Sequence, residues 1–216
     1  MLPLAPEGYP FILVPLAAGV LAAAFGYWPV AAVLWLVAAF CVAFFRDPAR
    51  ASGAPPAAIL APADGRVCLV GASPSSVVEL GLPVQVSIFM SPANVHVNRA
   101  PVAGTVREAR YSRGRHFPAF QDKSSDANEH SFVLLDSAQG PVAFKQVAGT
   151  LARRVVCDLV AGQRVERGQR VGIIKFSSRV DLFLPAGVEL HVAEGERTRA
   201  GVTVVASFPA EAGLPA

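Results

Sequence analysis

The sequence predicts a mainly β domain, barrel- or sandwich-like, preceded by an N-terminal apolar helical hairpin. Three observations carry that expectation. Residues 11–45, FILVPLAAGVLAAAFGYWPVAAVLWLVAAFCVAFF, contain no Asp, Glu, Lys, Arg or His. Beyond them, short Val- and Ile-rich runs recur between Gly and Pro punctuation, the pattern of an all-β sandwich or barrel. A pattern Gly-x-x-(Val/Thr)-x-x-Gly-x-x-Val occurs twice, as GQRVERGQRV at 162–171 and GERTRAGVTV at 195–204.

The apolar segment comes first. As one helix it would be about 52 Å long, against a hydrocarbon core of about 30 Å. Gly26-Tyr27-Trp28-Pro29 supplies turn formers and interface-seeking aromatics at its middle, so two short helices in a hairpin are expected over a unit 1–50. Each half is short for a full span, which leaves open a crossing hairpin and a shallow one in a single leaflet. Both bring the chain out on the side it entered from. The first ten residues hold one charge, Glu7, so the basic start of a signal peptide is missing. All 19 Lys and Arg lie at or after Arg46. The positive-inside rule then puts the rest of the chain on the cytoplasmic side of the inner membrane.

Overall, 53% of residues are hydrophobic and 16% charged, with a sequence pI near 9.0. The basic residues are scattered and no stacking aromatics lie between them, which argues against nucleic acid and for anionic lipid headgroups. Cys41, Cys68 and Cys157 are odd in number and lack CxxC spacing, so neither a disulfide framework nor a metal site is expected.

Residues 51–56 are small and proline-rich and read as a linker, opening a second unit 51–216. The runs GRVCLV, PVQVSIFM, GTVREARY, SFVLLDS, PVAFKQVAG, RRVVCDLV, RVGIIKF, RVDLFLP, VELHVAEG and VTVVASF follow as candidate strands, with a short turn expected within 119–129. The repeated glycine pattern predicts two similar β-hairpins around a common axis, because glycine tolerates φ > 0 at tight corners. It is similar to the pattern of lipoyl- and biotinyl-carrier-like barrels. A non-catalytic, membrane-tethered carrier module is therefore an alternative, although Lys123, Lys145 and Lys175 lie between the glycines of neither repeat.

Common nucleophile signatures are missing: there is no G-x-S-x-G, P-loop or H-E-x-x-H. His96 stands in SPANVHVNRAP, where Ser91, Asn98 and Arg99 gather polar groups around it. His116 and His191 read as ordinary loop and strand residues, and His130 lies in NEHSF. Asp64, in PADGRV, taken alone makes an Asx-turn. GIIKFSSRVDLFLP, at 172–185, interrupts an apolar run with Ser177-Ser178-Arg179.

Six stretches in order, FFRDPAR (44–50), PADGRV (62–67), SPANVHVNRAPVAG (91–104), DKSSDANE (122–129), QVAGTLARRVV (146–156) and GIIKFSSRVDLFLP, resemble the short membrane-anchored form of phosphatidylserine decarboxylase. The resemblance covers nearly the whole chain. It implies conversion of phosphatidylserine to phosphatidylethanolamine through a Schiff base with a self-generated pyruvoyl group, the electron sink that no ordinary side chain supplies. The serine matching Ser178 attacks the carbonyl of residue 177, and the chain is cut between Ser177 and Ser178. The products would be a β chain 1–177 and an α chain 178–216 that stay associated, with dimerisation common in the family. Asp64 and His96 match the family's Asp and His positions. His96 is expected to take the Ser178 proton in maturation and to protonate the decarboxylated carbon. Where larger members carry a second histidine this chain has Arg99. Either one histidine serves both steps, or Arg99 holds the substrate phosphate or carboxylate. Asn98, Lys123 and Asn128 are further candidates for the polar headgroup.

Two positions depart from the short-form pattern. FSSR stands in place of FGSR, which puts a side chain at the scissile carbonyl and predicts slower or blocked maturation. NEH stands in place of NER, which trades a permanent cation for the titratable His130. A decarboxylase of another serine-headed lipid, of the archaetidylserine type, and a non-catalytic lipid-binding module are the alternatives.

Overall fold

The computed structural model describes residues 3–114, 128–149, 154–175 and 178–209. Two compact units result, Met1–Ala49 and Arg50–Ala216.

In the first unit a 3₁₀ turn, Pro6–Gly8, leads into α1, Tyr9–Ala24, and α2 follows over Trp28–Phe44. Gly26, with φ of 80°, ends α1 in the left-handed conformation. Tyr27 N–H donates to Ala22 O at 2.8 Å and Gly26 N–H to Ala23 O at 3.0 Å, which is a Schellman cap. Pro29 then starts α2, where its missing N–H costs nothing. The helices run antiparallel. The Phe11 and Phe45 rings stack at 5.5 Å near the open end, and Gly19 gives Trp35 room, since a Cβ there would lie 2.5 Å from Trp35 Nε1. A bridge between Leu4 and Arg46 closes the base. The predicted apolar hairpin is thus present, and Pro6–Ala24 is long and apolar enough to cross a membrane. Leu13, Val14, Leu21, Phe25, Trp28, Val33 and Leu36 all face outward.

The second unit is built from strands β1 (Ala58–Leu60), β2 (Gly65–Ala72), β3 (Val84–Met90), β4 (Val97–Arg99), β5 (Gly104–Ser112), β6 (His130–Ser137), β7 (Gly140–Ala148), β8 (Val155–Cys157), β9 (Arg164–Val165), β10 (Arg170–Ile174), β11 (Ser178–Leu184), β12 (Glu189–Leu190), β13 (Arg197–Thr198) and β14 (Val204–Ser207), with one short helix, α3 (Ser75–Val78). An antiparallel eight-stranded sheet has the order β13-β2-β3-β11-β7-β6-β5-β9, and two three-stranded sheets have the orders β1-β14-β12 and β4-β10-β8. The mainly β fold expected from the glycine-bounded runs is the fold observed.

Strand alternation sets the core. Val86, Ile88 and Met90 of β3, Val142, Phe144 and Ala148 of β7, and Val180, Leu182 and Leu184 of β11 belong to one buried cluster. A smaller cluster joins Val77, Leu82, Phe132, Leu134, Ala143 and Phe183, the odd-numbered face of β11 among them. With both faces covered, all seven residues of β11 are buried. The repeated pattern forms two corners that meet: Gly168 and Gly201 both have positive φ, and a Cβ on Gly201 would come within 3.5 Å of Gly168 Cα. The strands flanking each corner join different sheets, β9 and β13 forming the two edges of the large one.

Candidate active site

The stretch 172–185 is two strands in two sheets. β10 lies between β4 and β8, and its ladder ends where Ile174 N–H donates to His96 O at 3.4 Å and Lys175 N–H to Arg154 O at 3.2 Å. The next ladder begins at Ser178, which sits opposite Met90 on β3 and Ala148 on β7. Four residues on from Ile174, the chain has exchanged one set of backbone partners for another. Ser178 is fully buried, and its hydroxyl donates to Met90 Sδ at 3.3 Å.

The segment 90–98 leaves β3 at Met90 and returns to the same residue through Asn98. Asn98 Nδ2 lies 3.7 Å from Met90 Sδ, and its Oδ1 accepts from Gln146 Nε2 at 2.8 Å. The turn between is cinched by Asn94, whose Oδ1 accepts from Ser91 N–H at 2.8 Å and from Ser91 Oγ at 2.7 Å. That presents Asn94 O to His96 Nδ1 at 3.0 Å. A carbonyl can only accept, so Nδ1 carries the proton and Nε2 is the basic nitrogen of the neutral ring. His96 is fully buried.

Asn128 and Glu129 close the other side. Asn128 Nδ2 donates to Ala148 O at 2.7 Å, and Ala148 N–H donates to Glu129 O at 2.9 Å, so both hold the residue that pairs with Ser178. Glu129 Oε1 accepts from Val155 N–H at 2.9 Å, which ties β8 to the same corner. His130 Nδ1 lies 2.7 Å from Asn128 O.

Asp64 and Arg99 find partners at the Gly168 and Gly201 corners. The Arg50 guanidinium grips both Asp64 carboxylate oxygens at 2.9 Å, and Ala200 N–H donates to Oδ1 at 2.7 Å. Arg99 Nη1 donates to Gly168 O at 3.0 Å, and its side chain lies against Gly201. The contacts thus link Ser178, Asn98 and Asn128 through Met90 and Ala148 at the head of β11, with the His96 backbone on the end of β10, and tie Asp64 and Arg99 to the glycine corners. Ser177 and Lys123 lie outside the described residues, as does His116.

Sequence reasoning missed Gln146, Met90 and Arg50. Gln146 had a signal: it falls on the inward face of β7 between Phe144 and Ala148, and a fully buried glutamine on an apolar face needs a polar purpose. Its Oε1 has no hydrogen-bond partner among the described residues. The ion pair of Arg179 and Asp181, 2.8 Å apart and 5% and 0% exposed, was equally unannounced; it locks the opposite face of β11 one residue past Ser178.

The family model described as phosphatidylserine decarboxylase matches residues 37–206. The chain is 45% identical over 201 residues to a phosphatidylserine decarboxylase proenzyme of Magnetococcus marinus, covering 92% of each chain. It is 44% identical over 208 residues to one of Trichlorobacter lovleyi, covering 93% of this chain and 94% of that one. A third, from Chlorobaculum tepidum, is 47% identical over 166 residues, covering 77% of this chain and 76% of its own.

Proposed function

The chain belongs to the phosphatidylserine decarboxylase family, and we propose that it converts phosphatidylserine to phosphatidylethanolamine with a pyruvoyl group made from its own Ser178. The setting of Ser178 carries this reading: a buried hydroxyl on the first residue of the central strand, where one ladder ends and another begins. A serine placed there for stability would be given a strong acceptor, whereas this one donates to a thioether and gives up little when it turns to react.

Maturation draws on the chain's own groups. Ser178 Oγ bonds to the carbonyl carbon of residue 177 as the C–N bond to Ser178 breaks, and an ester results. Loss of the residue 178 α-proton, with cleavage of the Cβ–Oγ bond, frees residues 1–177 with a terminal carboxylate. Water then displaces the nitrogen of residue 178 as ammonia and leaves a ketone. His96 Nε2, basic because Asn94 O holds the Nδ1 proton, takes the hydroxyl proton at the first step. In the same reading Asp64 fixes the PADG turn to the Ala200 corner, directly by accepting from Ala200 N–H and also through Arg50, which donates to both Asp64 and Ala200 O.

The residues fit the group. A pyruvoyl group offers carbonyl acceptors, and the donor that could serve one is Asn98 Nδ2, fully buried and 3.7 Å from the weakly accepting Met90 Sδ beside Ser178. Gln146, opposite Val180 and so on the inward face of Ser178, donates to Asn98 Oδ1 and fixes that amide. Asn98 would hold the group, oriented by Gln146. When present it supplies the sink for the electron pair left as carbon dioxide departs. His96 is then the proton source for the carbon that lost its carboxyl.

Strand pairing supports retention of the cut chain. Within 178–216, β11 lies between β3 and β7, β13 pairs with β2, and β14 pairs with β1. Breaking the bond between residues 177 and 178 removes none of these ladders. The outward apolar faces of α1 and α2 support attachment to a membrane, and the concentration of basic residues after Arg46 supports the cytoplasmic side.

The test is release of carbon dioxide from carboxyl-labelled phosphatidylserine in mixed micelles, with Ser178→Ala as the control. Release by the parent and none by the variant is expected. A matured parent that releases none would overturn the substrate.

A further inference from the structure

A cavity of about 500 Å³ opens beside the end of β10, in the size range of ligand pockets. Arg110, Arg113, Arg154 and Lys175 line it, and among the described residues no Asp or Glu does. Of the carboxylates around it, Glu129 accepts from Val155 N–H and touches Tyr111, Asp158 lies beside Cys157, and Glu108 pairs with Arg110, whose guanidinium also lies over the Phe132 ring at 5.5 Å. Arg113 and Arg154 both act on the Tyr111 hydroxyl, pulling against the partial desolvation and the Glu129 contact that push it up. Cys157, in the wall, is kept a neutral thiol by burial.

Lys175 fixes the cavity relative to Ser178. Three residues span at most about 11 Å of chain, so the rim lies within that distance of the head of β11. In a serine phospholipid the phosphorus is three bonds, about 4 Å, from the carbon that loses its carboxyl. Long cationic side chains cover the remainder. Of the headgroup's two anions, the carboxylate must leave as neutral carbon dioxide, and a cation gripping it would hold back that departure. The phosphodiester keeps its charge throughout and loses nothing by being clamped.

We infer that the cavity lined by Arg113, Arg154 and Lys175 binds the phosphodiester of the lipid headgroup and positions its serine at residue 178. This rests on the decarboxylase reading. It makes the phosphate the handle by which substrate is recognised, with arginine favoured for its fork of donors.

Arg113 and Arg154 are exposed, so Arg113→Gln and Arg154→Gln leave the core untouched. In the full chain both variants are expected to mature as the parent does and to keep kcat, while KM for phosphatidylserine rises about tenfold or more. Glycerophosphoserine titrated into Ser178→Ala, which cannot consume it, should bind and lose a similar factor when Arg154→Gln is added. Matured variants with unchanged KM and unchanged glycerophosphoserine affinity overturn the cavity and leave the decarboxylase reading standing. Variants that lose binding to phosphatidylglycerol vesicles but not to glycerophosphoserine also overturn it, assigning the cations to the bilayer surface. If the parent neither matures nor decarboxylates, the underlying reading fails, and the Ser178→Ala titration still decides whether the cavity takes a phosphodiester.

Discussion

The hydroxyl of Ser178 lies 3.3 Å from the sulfur of Met90, its partner across β3 and β11. A thioether is a weak acceptor, so the contact occupies the hydroxyl without holding or aiming it. Met90→Leu keeps the volume and removes the acceptor. Self-cleavage should persist, with a stability loss under about 1.5 kcal/mol; gel separation of the two chains and a thermal melt check this. Loss of cleavage in a folded Met90→Leu protein would mean that the sulfur aims the nucleophile.

His96→Gln should leave the fold in place and slow self-cleavage by about 10²–10⁴, the usual contribution of a positioned base. The time course of chain cutting after synthesis reads this directly. Cleavage at the parental rate would remove His96 from maturation.

Asp64 and Arg50 are 12% and 11% exposed, and each is the other's charge partner. Asp64→Ala strands the Arg50 guanidinium and should cost about 3–5 kcal/mol. Arg50→Met with Asp64→Leu should recover much of it, read as denaturant midpoints. An Asp64→Ala protein as stable as the parent would contradict the anchoring role given to this pair.

Ser177→Gly restores backbone freedom at the scissile carbonyl and should speed maturation relative to the parent. Equal rates would show that the side chain at 177 does not limit the cut.

Once cut, the two chains should migrate as one species under native conditions and separate only in denaturant, because β11 is hydrogen-bonded on both sides. Native gel filtration followed by denaturing electrophoresis decides this.

Much of the fold was legible because its signals are local. The uncharged run of 11–45 and the Gly26-Tyr27-Trp28-Pro29 break spell the hairpin, and alternation in PVQVSIFM and PVAFKQVAG spells β3 and β7. The two- and three-residue strands β1, β9 and β13 left no such mark, since their place is set by pairing with distant partners. The repeated glycines predicted two similar β-hairpins; the corners form and meet at Gly168 and Gly201, but the strands on either side of each join different sheets instead of pairing with each other, because their partners lie far away in the chain. Around the candidate site, Ser178, His96, Asn98 and Asn128 were picked out by their motifs. Gln146 was visible only to an alternation count, and the Arg50 fork on Asp64 spans 14 positions that no periodicity links.

The most direct measurement is the intact mass of the purified protein under denaturing conditions. A fragment of residues 178–216, lighter by one ammonia than its plain sequence, is expected together with residues 1–177. A single uncut chain of 22.6 kDa, from protein made and kept with lipid, would contradict it.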